Sequence, residues 1–442
     1  MKIKLQNELK MLLLTALLGA VVGAVLWCFL KATGICTGFI WEGIAGRFSV
    51  SWLPIPICTL GGLIVGLLHK FGGDYPEELD VVLKKIKEEK HYDYRHMLLM
   101  LLCAFFPLII GASVGPEAGL CGIIAGLCYW IGDNVKYARE HKTEFSQIGE
   151  AVTLGELFHM PLFGIFEVEE EVSVPDSEDG SGEKTSSLKY GQRTGEADSH
   201  PAKEKTTFPK ASKLVLYGLA ALSGYLVMSL LSSVFGAASE GFPSFDMPAL
   251  SWADFLLMLL YIPTGILLCW FFEFSEHFSG KLSDKVPVCV RETLCGAVVG
   301  CIMIFMPLAL FSGEEEMREF MVDYGAYAPL LLVGICFLKL FMTAFCIRFG
   351  LKGGHFFPVI FSCVLMGFAL SGFIFAGEQG HSVFAAGIIT AAALGAQLKK
   401  PFTAAILLLL CFPAKLIIWF ILAAAAGSAV AGVAVKNRGL KT

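Results

Sequence analysis

This chain is short of charge. Asp, Glu, Lys and Arg make up 17% of its 442 residues and hydrophobic residues 55%, where a soluble domain carries about a quarter charged. With a mean hydropathy of +0.67, that scarcity excludes an ordinary water-soluble fold and points to an all-α polytopic membrane protein. The net charge of −5 decides little, because the charges gather in loops, and no nucleic-acid partner is expected. The spacing C-x-x-C is also missing. Fourteen cysteines are present, many in apolar runs (Cys28, Cys58, Cys103, Cys121, Cys269, Cys301, Cys336, Cys411). Neither a disulfide framework nor a zinc site is expected, and the cysteines read as small buried residues. No metal and no cofactor are expected.

What is there is a series of apolar segments, near residues 11–31, 52–69, 97–114, 119–132, 147–168, 213–236, 253–274, 287–311, 328–347, 357–376, 383–397 and 402–434. The first is too long for the apolar region of a signal peptide and reads as a membrane helix. Lys2, Lys4 and Lys10 ahead of it predict a cytoplasmic N-terminus, and Lys136, Arg139, Lys142 and the basic end "VKNRGLKT" predict inside loops. Several segments are short or broken by Gly and Pro, which at membrane depth is tolerated only around a cavity or inside protein. Residues 174–210 are polar, mixed in charge and rich in Ser and Gly, and read as a disordered, cytoplasmic linker. The expected organisation is a first transmembrane repeat opening in 1–173, the linker at 174–210, the rest of that repeat and a second one in 211–435, and a short tail at 436–442. A duplication is suggested by "GPEAGLCGII" and "HFFPVIFSCV", where Glu117 and Phe357 stand 240 positions apart, and by Pro161 and Pro401, separated by the same 240.

From Met97 to Gly132 there is no Lys, Arg or Asp, and the one charge is Glu117. Such a residue costs roughly 2.5–3.5 kcal/mol on insertion scales and is functional by default. It belongs to one of three glycine-marked breaks, "FGGDYPEEL" (71–79), "GASVGPEAGL" (111–120) and "LKGGHFFPVIF" (351–361), each of which opens a new helix. Helix N-termini offer unpaired N–H groups and a positive dipole end, so several of them meeting at mid-membrane form an anion site without a full positive charge. A carboxylate there is itself an anion. It occupies the site when ionised and leaves when protonated or displaced, acting as gate and proton carrier.

These motifs resemble those of the CLC family of chloride channels and proton-coupled chloride transporters. Gly115-Pro116-Glu117-Ala118-Gly119 resembles the family's second signature, Gly354-His355-Phe356-Phe357-Pro358 matches the third, and Gly72-Gly73-Asp74-Tyr75-Pro76 corresponds poorly to the first. The resemblance implies a homodimer in the cell membrane, each protomer with its own anion path through an inverted repeat of tilted and re-entrant helices. It implies chloride, with or without protons, as the transported species. Glu117 would be the gate, and the anion site would include Gly73, Gly115, Ala118, Gly119, Gly354, His355, Phe356 and Phe357, with His355 and Phe356 offering backbone N–H groups. In "MPLFGIFEVEEE", Glu171 stands where family exchangers keep an inner proton-relaying glutamate, with Glu170 beside it. The chain departs in three places. Pro116 replaces a basic residue and has no N–H, Gly73 replaces an anion-binding serine, and the tyrosine-bearing final helix is expected to be absent. The central site is then expected to rest on backbone donors, with Asp74 turned away.

Other readings follow from single features. "GASVG" fits G-x-S-x-G, so an intramembrane hydrolase would use Ser113 with His355 or His381, but the match lies in an apolar helix pattern where the nucleophile elbow has no place. A non-transporting sensor or scaffold of the same fold, or a fluoride-selective relative, would explain the altered first motif. Glu167, Glu169, Glu170 and Glu171 also read as a solvated helix end. Lys339 reads as snorkelling to an interface, with a buried cation near the anion path as the alternative, and Gly19–Gly23 and Gly122–Gly126 read as close helix packing.

Overall fold

The computed structural model describes residues 2–48, 50–77, 81, 82, 85, 92–135, 142–158, 160, 163–166, 210–238, 241–246, 250–375 and 379–439. The described residues are almost entirely helical. The main helices are α1 (Lys2–Gly38), α2 (Pro54–Gly72), α3 (Met97–Ile109), α4 (Glu117–Asn134), α5 (Lys142–Leu157), α6 (Lys210–Phe235) and α7 (Trp252–Ser283), followed by α8 (Val290–Phe305), α9 (Glu314–Val322), α10 (Pro329–Arg348), α11 (Phe356–Phe375), α12 (Gln379–Leu398), α13 (Pro401–Leu407) and α14 (Ile417–Gly439). Among the described residues, eight helices are long and apolar enough to cross a membrane, and the protein is an integral multi-pass membrane protein.

Several boundaries differ from the sequence reading. α1 is longer than 11–31, because its apolar run continues past Leu30 and passes into a π-helical turn at Phe39–Ala45. The segment 402–434 breaks at Pro413, separating α13 from α14. Lys210, assigned above to the linker, opens α6. The remainder of the linker lies outside the described residues, as do Pro161 and Glu167 through Glu171.

Which helices face lipid follows from their side chains. α1, α6 and α7 expose leucines such as Leu13, Leu17, Leu226, Leu230, Leu256 and Leu259, as a helix against hydrocarbon does. α11 and α12 are apolar on all sides and buried over most of their length, so they form the centre of the molecule. Contact between helices is set by small residues. A side chain on Gly62 would overlap the carbonyl of Glu292, and one on Gly296 would overlap that of Cys58, so α2 and α8 cross with their backbones nearly touching. Gly19 and Gly23 meet α6 at Ala220 and Gly224 in the same way, as their spacing predicts, whereas Gly122 and Gly126 pack on Tyr92 and Met97.

The helices recur at nearly the offset of the sequence repeat. α2, α3, α4 and α5 correspond in order to α8, α10, α11 and α12. Corresponding members pair across the centre: α2 packs on α8, and the turns that open α4 and α11 run antiparallel through Gly115 and Gly354. An inverted duplication produces such a pairing. Ten of the fourteen cysteines are buried as expected, while Cys28 and Cys301 are exposed on the outer faces of α1 and α8.

Candidate functional site

α3 is only 13 residues long, about 20 Å, too short to cross a bilayer. It ends within the protein, and the irregular stretch from Ile110 to Pro116 is buried throughout. Its backbone groups find internal partners: Ala112 N–H donates to Pro107 O (3.0 Å), Val114 N–H to Ala112 O (2.8 Å) and Phe311 N–H to Gly111 O (3.2 Å). That satisfaction allows a broken backbone at membrane depth. Gly111 has φ +79°, a conformation open to glycine at little cost. Pro116 then caps α4, where its missing N–H is no loss.

The link ahead of α11 mirrors this one, and the two close on each other. Gly115 N–H donates to Gly354 O at 2.8 Å and Gly354 N–H to Gly115 O at 2.7 Å. The sequence reading places both glycines in the anion site; their N–H groups are used by this backbone bridge. The glycines serve by lacking side chains: a Cβ at either position would overlap the Glu117 carboxyl. That carboxyl lies between them, 1% exposed. Its Oε1 accepts the Phe356 N–H at 2.9 Å, with the Phe357 N–H and its own N–H adjacent. Oε2 is buried without a hydrogen-bond partner. Two helix N-termini, those of α4 and α11, therefore converge on one carboxylate, and their dipoles favour its negative charge. Ala118 and Gly119 are buried in the first turn of α4, where Gly119 touches Ala104 of α3.

Aromatic rings hold the start of α11. Phe357 meets Phe158 and Phe242 edge to face, each at 4.9 Å, a favoured ring geometry. The His355 ring lies against Phe272 and Phe356, and its carbonyl accepts from Val359 N–H in the first turn of α11.

The first motif takes a supporting position. Gly73, at φ +113°, ends α2 with its N–H bonded to His69 O. Asp74 carries the exposed carboxylate expected of it and pairs with Lys352 at 2.9 Å, near Arg291 and His69. Because Lys352 stands two residues before Gly354, this ion pair docks the first motif on the third. Below it, His69 bridges the buried Glu292 (3.2 Å) and Tyr75 O (2.6 Å). Of these, the sequence reading named Gly73, Asp74 and Tyr75, and passed over His69, Arg291, Glu292 and Lys352.

One sequence expectation changes, and the hydrolase reading set aside from sequence stays set aside. Lys339 does not snorkel. It is fully buried, its Nζ donates to Leu310 O (2.6 Å) and Phe311 O (3.2 Å), and it lies over the Phe361 ring. The carbonyls of the turn ahead of α9 give the ammonium partners inside the protein, so it has no need to reach an interface. Ser113 is buried and shares its hydrogen bond with Thr343 (2.9 Å), not with His355 or His381, while His381 pairs with Asp254. The serine–histidine contact that would activate a nucleophile is not formed. Glu171 lies outside the described residues. Sequence reasoning also passed over Glu150, a fully buried carboxyl on α5. Its signal was the same as that of Glu117, an acid in an apolar membrane segment, obscured by the polar residues around it.

Comparison with known proteins returns a consistent result. The family model described as voltage gated chloride channel matches residues 60–179 and 206–432. The chloride channel protein CLC-e of Arabidopsis thaliana is 25% identical over 393 residues, covering 81% of this chain, which spans 49% of that longer protein. Among solved structures, a slow cyanobacterial Cl−/H+ antiporter superposes with TM-score 0.72 at 16% identity, covering 95% of this chain and 94% of the other. A CLC-type fluoride/proton antiporter superposes with TM-score 0.68 at 15% identity, covering 96% and 95%. These two likenesses establish the fold.

Proposed function

The chain belongs to the voltage gated chloride channel family, and on that premise we propose that it carries chloride across a membrane, exchanging it for protons, with Glu117 as gate. The observation that carries this reading is the Glu117 carboxylate seated on the Phe356 N–H at the meeting of two helix N-termini. A site that holds a carboxylate by backbone donors alone also holds a halide. The two compete for it, so the anion enters as the carboxyl leaves, and protonation favours leaving. Binding through neutral donors is weak enough to permit release, which conduction requires. Gly73 supplies no hydroxyl, so Phe356 and Phe357 are the donors. We propose further that the protein works as a homodimer in the cell membrane, each protomer with its own path, and that Glu171 exchanges protons with the cytoplasm.

The test is paired Cl− and H+ flux from liposomes holding the purified protein under a Cl− gradient. Chloride efflux drives protons uphill in the wild type, and Glu117→Gln keeps chloride movement while losing the proton current. Chloride efflux with no proton movement would make it a channel. Fluoride efflux without chloride would favour the fluoride-selective reading, which the missing serine hydroxyl motivates. No anion flux at all would leave the sensor or scaffold.

A further inference from the structure

The link from α3 to α4 ends at Glu117, and its carbonyls show what holds it. Four of them are answered within the link: Phe106 O accepts from Ile110 N–H, Pro107 O from Ala112 N–H, Leu108 O from Gly111 N–H and Ala112 O from Val114 N–H. The three between, those of Ile109, Ile110 and Gly111, point outward. Ile109 O accepts the Trp41 indole N–H at 3.0 Å, Ile110 O the Cys58 thiol at 3.2 Å and Gly111 O the Phe311 N–H at 3.2 Å. Three consecutive carbonyls are thus held by three elements remote in sequence: the end of α1, α2 and the turn ahead of α9.

The three holds are unequal. A thiol is a weak donor. Phe311 donates from φ +54°, a left-handed conformation that a bulky side chain adopts only when its surroundings impose it. Its ring meets that of Trp41 edge to face at 6.1 Å, and its Cζ lies 2.9 Å from where a Cβ on Gly111 would stand. Trp41 therefore supports two of the holds, one through its N–H and one through its ring. It stands in the π-helical turn Phe39–Ala45, where Gly46 N–H reaches back five residues to Trp41 O. Such turns are rare and concentrate at functional sites.

The link fixes where α4 begins, and the Glu117 carboxyl on the first residue of α4 meets the Phe356 N–H at 2.9 Å. A shift of the backbone by a fraction of that distance breaks the contact. With the seat lost, the carboxyl spends more time away from it, and an anion passes without waiting for a proton. We infer that Trp41 is a positioning residue for the gate, clamping the α3–α4 link so that Glu117 returns to the Phe356 N–H after each anion. The inference rests on the proposed role of Glu117 and adds no step to the path of the proton.

The experiment is the paired flux assay on Trp41→Phe, Phe311→Ala and Trp27→Phe, with Trp41→Phe also placed in Glu117→Gln. Trp41→Phe keeps an aromatic ring and removes the N–H. Trp27 is the control, a second α1 indole whose N–H donates to Ser232 Oγ of α6 at 3.1 Å. In support, Trp41→Phe speeds chloride efflux and lowers the protons moved per chloride, by roughly three- to tenfold, the scale of one lost hydrogen bond. Phe311→Ala, which removes the ring beside Trp41 and keeps the backbone donor, moves both in the same direction and provides the reading if Trp41→Phe does not fold. Trp27→Phe changes neither. Trp41→Phe adds nothing in the Glu117→Gln protein, because a clamp that acts through the carboxyl has no effect once the carboxyl is gone; a merely structural defect would slow that protein as well. Unchanged flux and coupling in Trp41→Phe overturn the clamp, as does an equal change in Trp27→Phe or a further change in the double variant. A wild type that moves chloride without protons ends the exchange reading, and the clamp is then decided by the chloride rates of the same four variants. A wild type that moves no anion overturns both.

Discussion

At the scale of single residues, the interior accepts charge only where the backbone or a partner answers it. Glu117 is answered by the N–H of Phe356. Lys339 is answered by the carbonyls of Leu310 and Phe311, with Glu316 nearby, and Glu316 itself accepts the Gly313 N–H at 2.9 Å. Thr343 donates to Lys339 O and pairs with Ser113, so the lysine also anchors the turn that opens toward the site. Replacing Lys339 by Met removes a buried donor from two carbonyls and a cation from a carboxylate. The expected loss is about 2–4 kcal/mol, the range for breaking a buried ionic contact. Thermal unfolding in detergent, read by a dye that reacts with the buried thiols, measures it. Adding Glu316→Gln recovers part of the loss, because the stranded charge is gone. A Lys339→Met protein that unfolds at the wild-type temperature would mean that the ammonium contributes nothing.

At the scale of helices, the site is positioned by close crossings of small residues. α2 and α8 interlock through Gly62, Gly66, Gly296 and Gly300, each of which faces the backbone of the opposite helix. A branched side chain there meets backbone, which cannot rotate aside. Gly296→Val is expected to separate the helices and pull the His69–Glu292 contact apart, an overpacking cost of about 1–3 kcal/mol or more. Cys295, buried beside it, then reacts faster with a thiol reagent than in the wild type; an unchanged rate would show that the crossing tolerates the extra volume. Much of this was legible in the sequence. Gly19 and Gly23 announced their packing by spacing, and the offset between Glu117 and Phe357 announced a duplication, whose two halves meet at the turns that open α4 and α11. The α2–α8 crossing was not, because glycines at matching depths on two helices become informative only when the helices are known to meet. The π-helical turn after α1 left no mark either, since its residues are as apolar as the helix they extend.

At the scale of the molecule, the two halves are joined at the centre by the Gly115–Gly354 bridge, the Ser113–Thr343 bond and the His69–Glu292 contact, and at one side by Asp74. Of the central joints, the Gly115–Gly354 bridge follows from motifs the sequence displays, whereas His69, Glu292 and Thr343 carry no mark until the fold brings them together. The Asp74 joint depends on Lys352 and Arg291, which look like loop charges until the fold brings them to the end of α2. Burial works to raise the Asp74 carboxyl, but Lys352 foremost, then His69 and Arg291, outweigh it and hold the group below its ordinary value of 3.8. A carboxyl depressed in the folded state adds stability above its unfolded value, and that stability is lost as pH falls through the folded one. The tie is therefore whole at pH 5 and above and weakens below about pH 4. Because the side chain is 62% exposed, solvent screens the pair and its worth is at most about 1 kcal/mol. The wild type should therefore lose more unfolding temperature between about pH 5 and pH 3 than Asp74→Asn, by a degree or two at this chain length, and high salt should shrink the difference. Equal slopes for the two proteins would mean that Asp74 rests on the third motif without holding it.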